Sequence, residues 1–334
     1  MFVVDTFVNC QLYFVNCSSL TVNCLLFLFL SFKLTILGSS GALPAYGRFP
    51  TSQYLTIQNR HFLIDSGEGV QIQLTRYQIP FHKINHIFIS HLHGDHYLGL
   101  MGLLFSMHLQ KRVTDLHLYS AAGLDEIIVL QLKHSRSTLN YNIIFHPFNA
   151  EERTILWEDE MMSVETIPLL HKIPCAGFLF KEKIKSRRMD KNKLHDGMLL
   201  QHIASLKTGM DIRNEAGELI YRNEEYTLPP RPSYSYAYCS DTAYNESLIE
   251  QISNADLLYH EATFMEVERS KATETKHSTA SDAARIAKAA GVKKLAIGHF
   301  SARYKELDPL LAEARAIFPE TSLAIEGETF ELEA

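Results

Sequence analysis

One short segment constrains this chain more than any other: Ser90-His91-Leu92-His93-Gly94-Asp95-His96, directly after the β-rich run Ile84–Ser90. Residues two apart in an extended segment face the same side, so His91 and His93 project together. Gly94 permits a sharp turn, which brings Asp95 and His96 round as a second pair of ligands. Four candidate ligands within six residues can serve two cations about 3.5–4 Å apart, the separation used by two-metal hydrolytic sites. The chain has 16 His but only 5 Cys, so a disulfide scaffold or a thiolate zinc ribbon is excluded, and imidazole and carboxylate must hold any metal.

The rest of the chain places this cluster in a layered domain. Strand-like runs recur at 34–37, 53–57, 62–64, 116–119, 143–145, 163–167, 177–180, 236–239, 257–259 and 295–297. Glycine-punctuated helical spacing covers 98–109. Thr279–Ala290 is the clearest helix, with Ser278/Thr279 at its start and Gly291 after its end. Asp308-Pro309 opens another, through about Phe318. Many strands with helices between them predict an α/β layered fold. Met1–Phe32 has no Lys or Arg and carries three of the five cysteines. It lacks the charged n-region and small-residue cleavage site of a secretory signal, and Asn and Gln interrupt any membrane-length window. Residues 1–32 are therefore expected to be a doubtful N-terminal extension, with a weak membrane anchor as the alternative, and the folded domain is expected over 33–334, in the cytoplasm and with no membrane partner.

The formal net charge of −6 excludes a uniformly basic nucleic-acid binder. Charge is unevenly spread, however: Lys181–Lys193 (KEKIKSRRMDKNK) holds seven basic and two acidic residues. It reads as a basic arm inserted at about 181–212, although such a run can equally be a solvated face.

The H-x-H-x-D-H cluster resembles the signature of the metallo-β-lactamase superfamily, and the resemblance runs from Lys33 to Ala334. It implies an αββα sandwich, two mixed β-sheets packed face to face with helices outside. His171 after Pro168-Leu169-Leu170, Asp241 in Tyr238-Cys239-Ser240-Asp241-Thr242, and His299 in Ile297-Gly298-His299 match the remaining ligands. Two further segments, Tyr259-His260-Glu261-Ala262-Thr263 and Lys276-His277-Ser278-Thr279, are similar to the HEAT and HST motifs of the tRNase Z family. Leu63-Ile64-Asp65-Ser66-Gly67 and His299-Phe300-Ser301-Ala302-Arg303 extend the likeness.

The resemblance implies two Zn²⁺ per subunit, one held by His91, His93 and His171, the other by Asp95, His96 and His299, with Asp241 bridging. Ligand type alone also admits Mn²⁺ or Fe. Asp95 would orient the attacking water, His277 would protonate the departing ribose oxygen, and Glu261 would orient His277. Asp65 is either an acceptor for a metal-bound histidine or a turn-forming residue; His260 is expected to be structural. The implied activity is hydrolysis of precursor tRNA to remove its 3′ trailer, leaving a 3′-hydroxyl, by a homodimer whose arm grips tRNA. The competing readings are a phosphodiesterase or arylsulfatase-like hydrolase on the same fold, acting on a small substrate, and a catalytically silent nucleic-acid binder or diiron redox protein. Two departures from the family stand out. Residues 181–212 lack the paired Pro-Gly and Gly-Pro motifs of the common bacterial arm. Tyr46-Gly47-Arg48-Phe49-Pro50 replaces the usual Lys-x-Arg-Asn pattern.

Overall fold

A computed structural model describes residues 32–332. Residues 1–31, which hold nearly all of the expected N-terminal extension, lie outside the described residues. Phe32 is itself paired in the first strand and buried between the sheets.

Two seven-stranded sheets form the body. In the first, Phe32–Gly38 lies between Thr329–Leu332 and Ser52–Ile57, antiparallel to both. Ser52–Ile57 turns through Asn59 into Arg60–Ile64, an antiparallel hairpin. From there His86–Phe88, Leu116–Ala121 and Ile143–Phe148 add in parallel. In the second sheet, Ser235–Cys239, Leu257–Glu261, Leu295–Gly298 and Thr321–Leu323 run parallel. Ala176–Glu182, Met162–Pro168 and Ile155–Glu158 extend it antiparallel.

Strand alternation explains the layers. In the run before the histidine cluster, Phe88 points between the sheets, among Phe62, Phe178, Phe180, Tyr236 and Tyr238. Ile87 and Ile89 point outward onto the helices Val70–Arg76, Leu100–Leu109 and Leu124–Ser135. Period-two alternation thus feeds two separate cores from one strand. On the other sheet, Ala280–Ala290 and Asp308–Arg315 supply the outer layer, packed on Ala237, Leu258, Leu295 and Ile297. The chain is therefore a four-layer αββα sandwich. Ala280–Ala290 begins with a reciprocal capping box between Thr279 and Asp282 and ends at Gly291 in the left-handed region, as its sequence predicts.

Between Ala176–Glu182 and Ser235–Cys239 the chain makes an excursion containing two small strand pairs and the helix Leu200–Lys207. This helix falls where no strand pattern is visible in the sequence. Leu206 is its one buried side chain. Lys183, Lys185, Arg188, Lys191, Lys207 and Arg231 line one groove there, together with Glu160. Among the described residues no helix is long and apolar enough to cross a membrane.

Candidate metal centre

The parallel strands all deliver their C-terminal ends to one side of the sandwich, where loops can carry reactive groups on a rigid base. His91 leaves the strand His86–Phe88; His93 sits at the N-terminus of the short helix Gly94–Tyr97, which carries Asp95 and His96. Gly94 makes its turn by opening this helix, without a positive φ. His171 follows Met162–Pro168, Asp241 follows Ser235–Cys239, and Glu261 closes Leu257–Glu261. His299 follows Leu295–Gly298 with φ +59°. Gly41 is required beside it, because a Cβ there would lie 2.8 Å from the His299 ring.

Two groups of ligand atoms converge. His93 Nδ1 lies 3.0 Å from His91 Nε2 and 3.2 Å from His171 Nε2. Asp241 Oδ2 completes this set at 3.6 Å from His91 Nε2 and 3.7 Å from His171 Nε2. In the second set His96 Nε2 is 3.5 Å from Asp95 Oδ2 and 3.4 Å from Asp241 Oδ1. His299 Nε2 is 3.4 Å from Asp95 Oδ2 and 3.1 Å from Asp241 Oδ1. Ligands at about 2.0–2.1 Å from a tetrahedral cation are separated by about 3.3 Å, so both sets have the size of a cation's coordination shell. The two oxygens of Asp241 are divided between them, as a bridging carboxylate requires.

The surroundings also fit cations. His96 Nε2 and Asp241 Oδ1 are buried without a hydrogen-bond partner, and both face the second set. Burial lowers the His91 imidazole well below its usual range, helped by His96 and opposed by Asp241, which leaves a neutral ligand. Burial opposes charge on His96 too, but Asp241, Asp65 and Asp95 overcome it and hold its pKa well above the ordinary value. So many buried carboxylates call for positive charge.

The far side of four of the five imidazoles, those of His91, His96, His171 and His299, is tied down. His96 Nδ1 donates to Asp65 Oδ2 at 2.7 Å, and His171 Nδ1 to the Lys276 carbonyl at 2.9 Å. His299 Nδ1 meets Thr263 Oγ1 at 2.9 Å, and His91 Nδ1 meets Ser90 Oγ at 3.0 Å. Such outer contacts set which nitrogen faces a metal. Asp65 also accepts from Ser90 N, Ser90 Oγ and Tyr238 Oη. Asp65 takes φ +55° as it leaves its strand, and it accepts from His96, a candidate ligand.

Beside these sets, His277 Nδ1 donates to Glu261 Oε1 at 2.8 Å, and Glu261 also accepts from Thr242 N. Burial would lower the His277 pKa, but the charges of Glu261 and then Asp241, with the Glu261 hydrogen bond, raise it to about 9. His260 is buried, its Nδ1 turned to the Glu261 carbonyl and away from the ligand sets. Ser90, Tyr238, Thr263 and the Lys276 carbonyl have no role on sequence grounds. For Tyr238 and Ser240, alternation ahead of Asp241 could have placed both on the inner face.

An αββα sandwich with two such ligand sets at its strand ends defines the metallo-β-lactamase fold. YhfI from Bacillus subtilis, a metallo-β-lactamase-fold protein, matches with TM-score 0.64 at 21% identity over 90% of this chain and all of that one. Human tRNase Z, short form, matches with TM-score 0.67 at 26% identity, again over 90% of this chain and all of that one. The family described as Anti-Pycsar protein Apyc1 matches residues 32–195, which include His91–His96 and His171 but stop short of Asp241, His277 and His299. Ribonuclease Z of Bacteroides fragilis strain YCH46 is 46% identical over 297 residues, 89% of this chain and 97% of that protein. The chain belongs to the ribonuclease Z family.

Proposed function

We propose that this protein is an endoribonuclease that removes the 3′ trailer of tRNA precursors by hydrolysing one phosphodiester, leaving a 3′-hydroxyl on the tRNA and a 5′-phosphate on the trailer. The observation that carries the reading is the hydrogen-bonded Glu261–His277 pair standing beside the ligand sets, on a chain 46% identical to a ribonuclease Z along nearly its whole domain.

His91, His93, His171 and Asp241 would hold one zinc ion, and Asp95, His96, His299 and Asp241 the other. Such a pair would lower the pKa of a bound water towards neutrality and would offset negative charge developing on phosphorus. The protein supplies the rest. Asp95 Oδ2 is fixed by the Ala42 N–H at 2.8 Å, so this carboxylate keeps one orientation and can align the attacking water. As the P–O3′ bond breaks, the leaving oxygen needs a proton. Glu261 raises the His277 pKa and so favours its protonated form, and its Nδ1 is committed to Glu261, which would leave the Nε2 proton to be delivered to O3′. Water thus adds hydroxyl to phosphorus, and O3′ takes the proton.

Specificity rests on the excursion after Glu182. Its groove of six cations would bind the tRNA phosphates, giving affinity without base readout. In a homodimer the groove of one subunit would present tRNA to the other's site. Action on tRNA precursors fits a cytoplasmic protein. The test is incubation of the purified protein with an end-labelled tRNA precursor, with and without chelator. A single cut after the acceptor stem, abolished by the chelator and restored by Zn²⁺, supports the reading; an intact precursor overturns it.

A further inference from the structure

We infer that Thr263 is a positioning residue whose one hydroxyl fixes the tautomer of a metal ligand, His299, and helps hold the orientation of the proton donor, His277. The second half of this inference rests on the proposed function; the first does not.

Thr263 Oγ1 is in contact with three polar atoms. It lies 2.6 Å from Glu261 Oε2, 2.9 Å from His299 Nδ1 and 3.3 Å from His277 Nδ1. A hydroxyl has one proton and two lone pairs. Glu261 is held ionised against its burial by the charge and hydrogen bond of His277, so it can only accept, and the Thr263 proton goes to Oε2. Both lone pairs then face imidazole nitrogens, which must carry protons to approach. His299 is thereby held as the Nδ1–H form, and its Nε2 lone pair faces Asp95 and Asp241. His277 keeps Nδ1–H towards Glu261 Oε1, with Thr263 as its second acceptor.

The hydroxyl has little freedom to turn elsewhere. Thr263 is buried, and its backbone is pinned on both sides, by Ala262 N to the Gly298 carbonyl and by Ser301 N to the Thr263 carbonyl. Thr263 N also donates to Glu261 Oε2 at 3.1 Å. A β-branched side chain on a fixed backbone has few χ1 options. The carboxylate that orients the proton donor and the imidazole that completes the second ligand set therefore share one anchor.

Thr263→Val keeps the shape and removes the hydroxyl; Thr263→Ser keeps the hydroxyl. Zn²⁺ affinity is measured by competition with a chromophoric chelator, together with kcat and KM on a tRNA precursor. Loss of an outer contact to a ligand histidine costs about 10- to 100-fold in metal affinity or activity. T263V should therefore weaken one of two zinc equivalents by that factor, leave the other unchanged, and lower kcat similarly with KM unmoved. T263S should restore both readouts, and Thr263→Ala serves in place of T263V should the latter not fold. Equal zinc affinities for T263V and wild type, or a T263S protein as impaired as T263V, would overturn the inference. If wild-type protein leaves the precursor intact, the functional reading fails, while the zinc comparison still decides whether Thr263 fixes His299.

Discussion

Asp65→Asn isolates what a buried carboxylate contributes to the centre without touching a ligand. Asparagine matches aspartate in shape and tolerates the left-handed backbone, so the φ of +55° at this position adds no strain. The native carboxylate receives Ser90 N at 2.7 Å on Oδ1, and Ser90 Oγ at 2.9 Å, His96 Nδ1 at 2.7 Å and Tyr238 Oη at 2.5 Å on Oδ2. An amide can face only one of these sides with oxygen. With its oxygen towards the three side-chain donors, the buried Ser90 N–H is left facing an NH₂ group, at a cost of about 1–3 kcal/mol. The surviving bonds from His96 and Tyr238 lose their charge assistance, about 1 kcal/mol each. The sum, about 3–5 kcal/mol, does not exceed the 5–15 kcal/mol of stability typical of a domain, so D65N should fold with reduced stability. His96, no longer oriented by a carboxylate, should lose about 10- to 100-fold in zinc affinity at its site, or about 1.4–2.7 kcal/mol. Urea unfolding of chelator-treated protein reads the first quantity and chelator competition the second. A D65N protein within about 1 kcal/mol of wild type, and with unchanged zinc affinity, would refute this account of the Asp65 network.

Other outcomes follow from the same geometry. Asp241→Ala removes one oxygen from each ligand set, so bound zinc should fall towards zero by elemental analysis. His277→Ala should keep its zinc and lose about 10²- to 10⁴-fold in kcat; loss of zinc in that variant would mean its role is misassigned. The activity of His277 as an acid is present below its pKa and lost as pH rises through it. Because Glu261 raises that pKa to about 9 and bound cations would pull it down, the alkaline limb of the kcat profile should lie at or below about 9. Glu261→Gln should move this limb to lower pH, and an unmoved limb would exclude His277 as its source. Neutralising Arg188, Lys191, Lys207 and Arg231, which line the groove, should raise KM for precursor tRNA and flatten its salt dependence by about 0.7–0.9 log units per lost phosphate contact. Turnover of a small chromogenic phosphodiester should not change.

Periodicity and end signals made much of the fold legible. The hairpin at Asn59, the capping box at Thr279 and the run into His91 all depend on interactions within a few residues, and the structure has each of them. The helix Leu200–Lys207 was not legible, because a helix that buries one side chain leaves little apolar period to detect. The histidine cluster was legible as a candidate ligand group for the same local reason: His91, His93, Asp95 and His96 are neighbours in the chain. Spacing alone could not have selected His171, Asp241 and His299, which stand on different strands; the family likeness nominated them. Only the tertiary structure decided how these groups meet. It split the two oxygens of Asp241 between two sets and put Asp65 behind His96. It also turned Thr263 towards Glu261, His277 and His299 at once. The contacts of the site join residues up to 204 apart in the chain, as between His299 and Asp95. Their geometry comes from strand pairing and sheet packing, and no local pattern encodes it.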